Sequence, residues 1–98
     1  MEKKSPHFPL VRVKEYAQAG SVRITRAAYA GAAELGIDKQ GMLNIVCSLC
    51  ARDFYKSMTF YNDHTQWQDV YRPESPEGKL YLKLSIDEGL LIISFKEA

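Results

Sequence analysis

The sequence has no run of about 18 apolar residues, the length a helix needs to cross a bilayer. No Gly-rich phosphate loop follows a strand-like run, which disfavours a nucleotide-binding fold. Histidine and cysteine are scarce, at 2 each. His7 and His64 lack ligand-like spacing, and Cys47 and Cys50 have no second cysteine pair to complete a metal site, so neither a metal nor another cofactor is expected. There is no nucleophile elbow and no metal-binding helix motif. The start, Met1 to Pro6, is basic but leads into no apolar stretch, so it does not read as a secretory signal, and the expected location is the cytoplasm. The net charge of +1 does not advertise a polyanion partner for the whole molecule.

What is present is enough for one compact domain: 98 residues, of which 46% are hydrophobic. Charge is unevenly spread. Residues 1–26 carry Lys3, Lys4, Arg12, Lys14, Arg23 and Arg26 against Glu2 and Glu15, a local surplus of four positive charges (six minus two). Such a face can hold phosphate, or it can be an ordinary solvated surface.

The first half has helical period. Pro6 to Pro9 is an extended lead-in, with Pro9 suited to a first helical position. Leu10, Val13 and Tyr16/Ala17 predict a helix over 10–19, stopped by Gly20. Ser21 to Ile24 is either a small edge strand or a connector. Thr25 caps an alanine-rich helix over 26–35, with Gly36 as its stop. Asp38 caps a third helix over 39–50, in which Met42, Ile45/Val46 and Leu49 form the buried stripe and Ile37 staples onto Met42. After residue 53 the period changes from 3.6 to 2. Strands are predicted over 54–61, 66–72, 79–86 and 90–96, with turns at 62–65, 74–78 and 87–89. The expected fold is therefore α+β: three N-terminal helices packed on one face of a mainly antiparallel four-stranded C-terminal sheet, possibly with a short extra edge strand.

The other sheet face is where chemistry is expected. If Leu80, Leu82, Leu84 and Ile86 face the helices, Tyr81 and Lys83 face outward. By alternation Gln68, Val70 and Arg72 share one side of their strand, and Trp67, Asp69 and Tyr71 the other. In the last strand alternation groups Ile92, Ser94 and Lys96 against Leu91, Ile93 and Phe95. A face carrying Tyr81, Lys96, Gln68, Arg72 and Tyr55 or Lys56 suits single-stranded RNA: rings stack on bases, cations hold phosphate and an amide positions an oxygen. The same residue types also cover exposed strands with no ligand. Lys56 is ambiguous, because strict alternation puts it with Phe54, Met58 and Phe60, which read as core. Either a bulge turns it outward, or it is partly buried with a lowered pKa, a better base near neutrality; a lysine snorkelling from a strand end is the plainer reading and ranks above a base. Cys47 and Cys50 read as free thiols rather than as a redox pair, since they fall at a helix end where the dipole opposes a thiolate.

Five segments carry a resemblance. Asp53-Phe54-Tyr55-Lys56-Ser57-Met58-Thr59, Asp63-His64-Thr65, Trp67-Gln68-Asp69-Val70-Tyr71-Arg72-Pro73, Tyr81-Leu82-Lys83-Leu84 and Ser94-Phe95-Lys96-Glu97 together resemble the motility quorum-sensing regulator (MqsR) toxins, mRNA interferases of toxin–antitoxin systems with a RelE-like fold. Met1-Glu2-Lys3 and Pro6-His7 also fit, while the helical half matches less tightly. The resemblance implies an endoribonuclease that cuts free mRNA at GCU-like triplets without a metal. Its catalytic residues would fall on Lys56, Gln68 and Tyr81. Tyr55, Met58 and Arg72 would hold RNA, with Lys96 and His7 as further contacts. It also implies a cognate antitoxin that binds zinc at one end and operator DNA at the other, so that this chain reaches operator DNA only through its partner. Which residue acts as base and which as acid stays open. His64, with an ordinary pKa near 6.5, ranks below Lys56 because it falls in an Asp/Asn-rich turn. The competing reading is a non-catalytic module that binds RNA or protein on the same face.

Overall fold

The computed structural model describes residues 1–98. The element order is β1 (Glu2–Lys3), α1 (Leu10–Ala19), β2 (Val22–Ile24), α2 (Arg26–Glu34), α3 (Lys39–Cys47), a 3-10 turn (Ala51–Asp53), β3 (Phe54–Phe60), β4 (Asp63–Tyr71), β5 (Glu74–Ser75), β6 (Gly78–Ile86) and β7 (Leu90–Glu97). The α+β class and the three helices agree with expectation. The sheet does not stop at four strands. It has seven, ordered β1-β3-β4-β6-β7-β2, with β5 paired to β6. No helix is long and apolar enough to cross a membrane.

The three extra strands are too short to show a period. β1 pairs antiparallel with β3, placing Glu2 opposite Met58 and Lys3 opposite Ser57. β2, the segment that read as strand or connector, pairs parallel with β7 from Val22↔Leu90 to Ile24↔Ile92, so the helices are not all N-terminal to the sheet. β5 folds back on the start of β6 inside what read as a plain turn. β1 and β2 thus close the free edges of β3 and β7, edges that would otherwise invite pairing with another chain.

Local chemistry sets the helix ends. The Thr25 hydroxyl accepts from Ala28 N–H at 3.1 Å, and the Asp38 carboxylate accepts from Gly41 N–H at 2.8 Å, each satisfying an N-terminal donor. Pro9 is the N-cap of α1 rather than its first residue. α3 ends at Cys47, three residues before the expected end at 50. There the Ser48 hydroxyl donates to Asn44 C=O at 2.9 Å, and the chain leaves the helix for the 3-10 turn. α2 lies directly on β7. A Cβ on Gly31 would collide with the Phe95 carbonyl oxygen, so no larger residue fits at that contact. The core joins Val13, Ala28, Ala32, Met42, Val46 and Leu49 from the helical layer to Tyr71, Leu80, Leu82, Leu84, Ile92 and Phe95 from the sheet. Burying each Leu contributes about 1.5–3 kcal/mol before entropy is counted.

Two bulges overturn strict alternation. In β3 the register runs Phe54↔Tyr71 and then Lys56↔Val70, so Tyr55 is an extra residue. Phe54 packs on the core beside Tyr71, but beyond the bulge the sides exchange. Ser57 and Thr59 are buried on the helix side, and Met58 and Phe60 go to the other face with Lys56 instead of joining the core. In β7 the register runs Lys83↔Ser94 and then Leu84↔Ile92, leaving Ile93 as the extra residue. Ile92 and Phe95 therefore both enter the core, where alternation had set them on opposite faces.

Candidate active site

The uncovered face of the sheet is built from four strands. Lys56 and Met58 come from β3, Gln68 from β4 and Arg72 from just past its end, Tyr81 and Lys83 from β6, and Lys96 from β7. The strand register ties them together: Met58 stands opposite Gln68, Lys56 opposite Val70, Val70 opposite Lys83, and Tyr81 opposite Lys96. The β3 bulge is what brings Tyr55 and Lys56 to this side as consecutive residues, and it resolves the ambiguity of Lys56 in favour of the outward orientation.

Two tyrosine rings organise the cations. The Arg72 guanidinium lies 4.8 Å from the Tyr55 ring centre, Lys4 Nζ 5.1 Å and Lys56 Nζ 5.5 Å. Lys96 Nζ lies 5.5 Å from the Tyr81 ring centre and Lys83 Nζ 5.9 Å. Each contact contributes about 0.5–1 kcal/mol at an exposed site, so the rings alone hold Lys4, Lys83 and Lys96 only loosely. Gln68 is buried in the floor of a cavity of about 310 Å³ lined also by Glu2, Met58, Phe60, His64 and Lys83.

Lys56 is not a lysine made neutral by burial. Its Nζ donates to the Glu2 carboxylate at 2.8 Å, and its side chain is 19% exposed. That hydrogen bond raises the Lys56 pKa above its ordinary 10.5, outweighing the opposing effect of burial. The same bond lowers the Glu2 pKa from 4.5. The side chain is partly buried, but the expected lowering of its pKa is corrected: Lys56 is an ammonium at neutrality. Glu2 carried no functional signal in the sequence, because its partner is 54 residues away and the two-residue strand that delivers it has no readable period.

His7 is not brought to this face. Its ring stacks on Trp67 at 5.2 Å and 13°, and the His7 backbone N–H donates to the buried Asp69 carboxylate at 3.0 Å, both on the helix side of β4. Burial and the nearby Lys3 ammonium push its pKa below 6.5. Cys47 and Cys50 are free thiols, and Cys50 Sγ donates to Asp53 at 3.3 Å. No group of three His, Cys, Asp or Glu side chains is close enough to hold a metal ion. The largest cavity, about 340 Å³, is bordered by Asn44, Ser48, Cys50 and Arg52 and shares no residue with the uncovered face described above.

Residues 5–97 match the family model described as motility quorum-sensing regulator, toxin of MqsA. The chain belongs to the motility quorum-sensing regulator toxin family. Among the relatives of that family, it is 54% identical over 97 residues to the mRNA interferase toxin MqsR of Escherichia coli (strain K12), an alignment covering 99% of each chain. The family match spans every uncovered-face strand from β3 to β7.

Proposed function

We propose that this chain is the toxin of a toxin–antitoxin pair and acts as an endoribonuclease, cutting free mRNA at GCU-like triplets without a metal ion and so stopping translation in the cytoplasm. The observation that carries this reading is the gathering of Lys56, Gln68 and Tyr81 with Arg72 on one uncovered sheet face of a chain so similar to a protein named mRNA interferase toxin. The family description, toxin of MqsA, supports a cognate antitoxin as partner. We take that antitoxin to hold the zinc and to reach operator DNA, with this chain contacting operator DNA only through it.

The chemistry follows from what these groups can do. The RNA 2′-OH gives its proton to a water molecule as its oxygen attacks the adjacent phosphorus, the bond to the 5′-oxygen breaks as that oxygen takes a proton, and the products are a 2′,3′-cyclic phosphate and a 5′-hydroxyl. The step needs charge stabilisation at phosphorus and a proton for the departing oxygen. Lys56, kept as an ammonium, neutralises the phosphorane oxygens, a duty a metal ion performs elsewhere. Arg72 offers a planar fork to a neighbouring phosphate. Tyr81 supplies a phenolic proton or hydrogen bond to the leaving or non-bridging oxygen. Gln68 has no transferable proton of suitable pKa and positions the ribose or phosphate. Tyr55 and Met58 offer a ring and a thioether against bases, and Lys96 steadies the Tyr81 edge.

The test is cleavage of a short RNA holding a single GCU, with EDTA present, by the parent and by Lys56→Ala. Selective cutting by the parent, reduced about 10²–10³-fold in the variant, is the expected result. Intact RNA after incubation with folded parent protein overturns the reading, and binding without cleavage makes the same face a binding module.

A further inference from the structure

We propose that Glu2 masks this site in the free protein: its carboxylate occupies the Lys56 ammonium, and an RNA phosphate takes that ammonium over when substrate binds. This rests on the RNA-cleavage reading above. Three observations carry it. First, β1 is docked on the edge of β3 by the Glu2↔Met58 register, with Thr59 N–H donating to Met1 C=O at 2.9 Å, so the carboxylate is delivered by backbone pairing and not by chance rotation. Second, the Glu2–Lys56 contact is 2.8 Å, a charge-assisted hydrogen bond of the kind a phosphate oxygen makes. Third, Glu2 lines the same cavity as Gln68 and Met58, while the charged side chains otherwise described on this face (Lys56, Arg72, Lys83 and Lys96) are all cations.

The surroundings of Lys56 decide what removing Glu2 does. From the N-terminal segment it is faced by Glu2, with Lys4 and the terminal ammonium acting on that carboxylate. Tyr55 lies beside it on β3, with Arg72 over the same ring, and Tyr81 approaches from β6. Glu2 is the carboxylate in that set, so its loss leaves Lys56 among cations and neutral phenols. The ammonium is then freed for phosphate and loses the hydrogen bond that favours its charged form.

The experiment compares the parent, Glu2→Gln and Glu2→Asp in two readouts. One is binding of a GCU oligonucleotide carrying a 2′-deoxyribose at the scissile nucleotide, which cannot be cut. The other is the pH profile of kcat/KM on the cleavable RNA. Glu2→Gln should bind the uncleavable oligonucleotide about 3- to 10-fold more tightly, the size expected for lifting one partly exposed competing charge. In cleavage the gain should fall on KM rather than kcat, and the basic limb should move to lower pH. Glu2→Asp, which keeps the charge, should fall back toward the parent in both. Unchanged or weaker binding by Glu2→Gln with an unmoved basic limb overturns the inference. So does a loss in kcat of about 100-fold at unchanged KM, because Glu2 would then itself be taking a proton. A parent that binds but does not cut contradicts the function proposed above, while the binding arm still decides the role of Glu2.

Discussion

Strand β4 carries two different environments on its two sides. On the helix side, Asp69 is 1% exposed and its two oxygens accept from His7 N–H at 3.0 Å and Phe8 N–H at 2.9 Å, while Tyr71 packs edge-on to Phe54. On the other side, Gln68 floors a cavity, and Arg72, one residue past the strand, lies over the Tyr55 ring with no carboxylate partner. Polar groups on the first side are satisfied within the chain; those on the second are arranged around space. If the proposed chemistry belongs to the second side, substitutions on the two sides should separate it from stability.

The largest separation is expected between Leu82 and Lys56. Leu82→Ala removes a fully buried side chain and should cost about 2–5 kcal/mol in denaturant unfolding, with cleavage per folded molecule kept. Lys56→Ala should show the reverse, a large loss of cleavage with a small change in stability. Next comes Asp69→Ala, which strands the His7 and Phe8 amides and should cost about 1.5–3 kcal/mol, read as faster hydrogen exchange at those two amides.

A pH effect should follow from Tyr71, whose hydroxyl is pushed up to about 12, first by burial and then by Asp69. The folded state prefers the neutral phenol, so its contribution is whole below pH 10, where the unfolded phenol begins to ionise, and is lost as pH rises through about 12. Tyr71→Phe should flatten the alkaline fall in stability, by roughly 2 kcal/mol at its upper end. The smallest effect belongs to His7. Burial disfavours its imidazolium, so stability should fall as pH drops below 6.5, and His7→Gln should remove that slope in thermal melts at pH 7.5 and 5.5.

Helices and long strands were legible because their periods run over many residues: the caps Thr25 and Asp38, and the stripe Met42, Val46, Leu49, are where the pattern put them. Three things were not legible. Strands of two or three residues show no period, so β1, β2 and β5 stayed hidden or undecided. One extra residue in a strand reverses every side chain beyond it, and alternation cannot show where that residue lies. The bulge at Tyr55 therefore hid the outward turn of Met58 and Phe60, and the bulge at Ile93 hid the burial of Ile92. Last, the protonation of Lys56 depends on Glu2, a partner brought near only by the fold. Lys56, Gln68, Arg72, Tyr81 and Lys96 were named from the sequence and share one face; His7 was named with them and lies on the other.

The most direct measurement is an amide NMR titration of the protein with the uncleavable 2′-deoxy GCU oligonucleotide. RNA bound to the uncovered face should shift Tyr55, Lys56, Met58, Gln68, Arg72, Tyr81 and Lys96 most, and leave α1, α2 and the His7–Phe8 amides nearly unmoved. Shifts concentrated on His7, Phe8, Trp67 and the helices would contradict the assignment of the two faces.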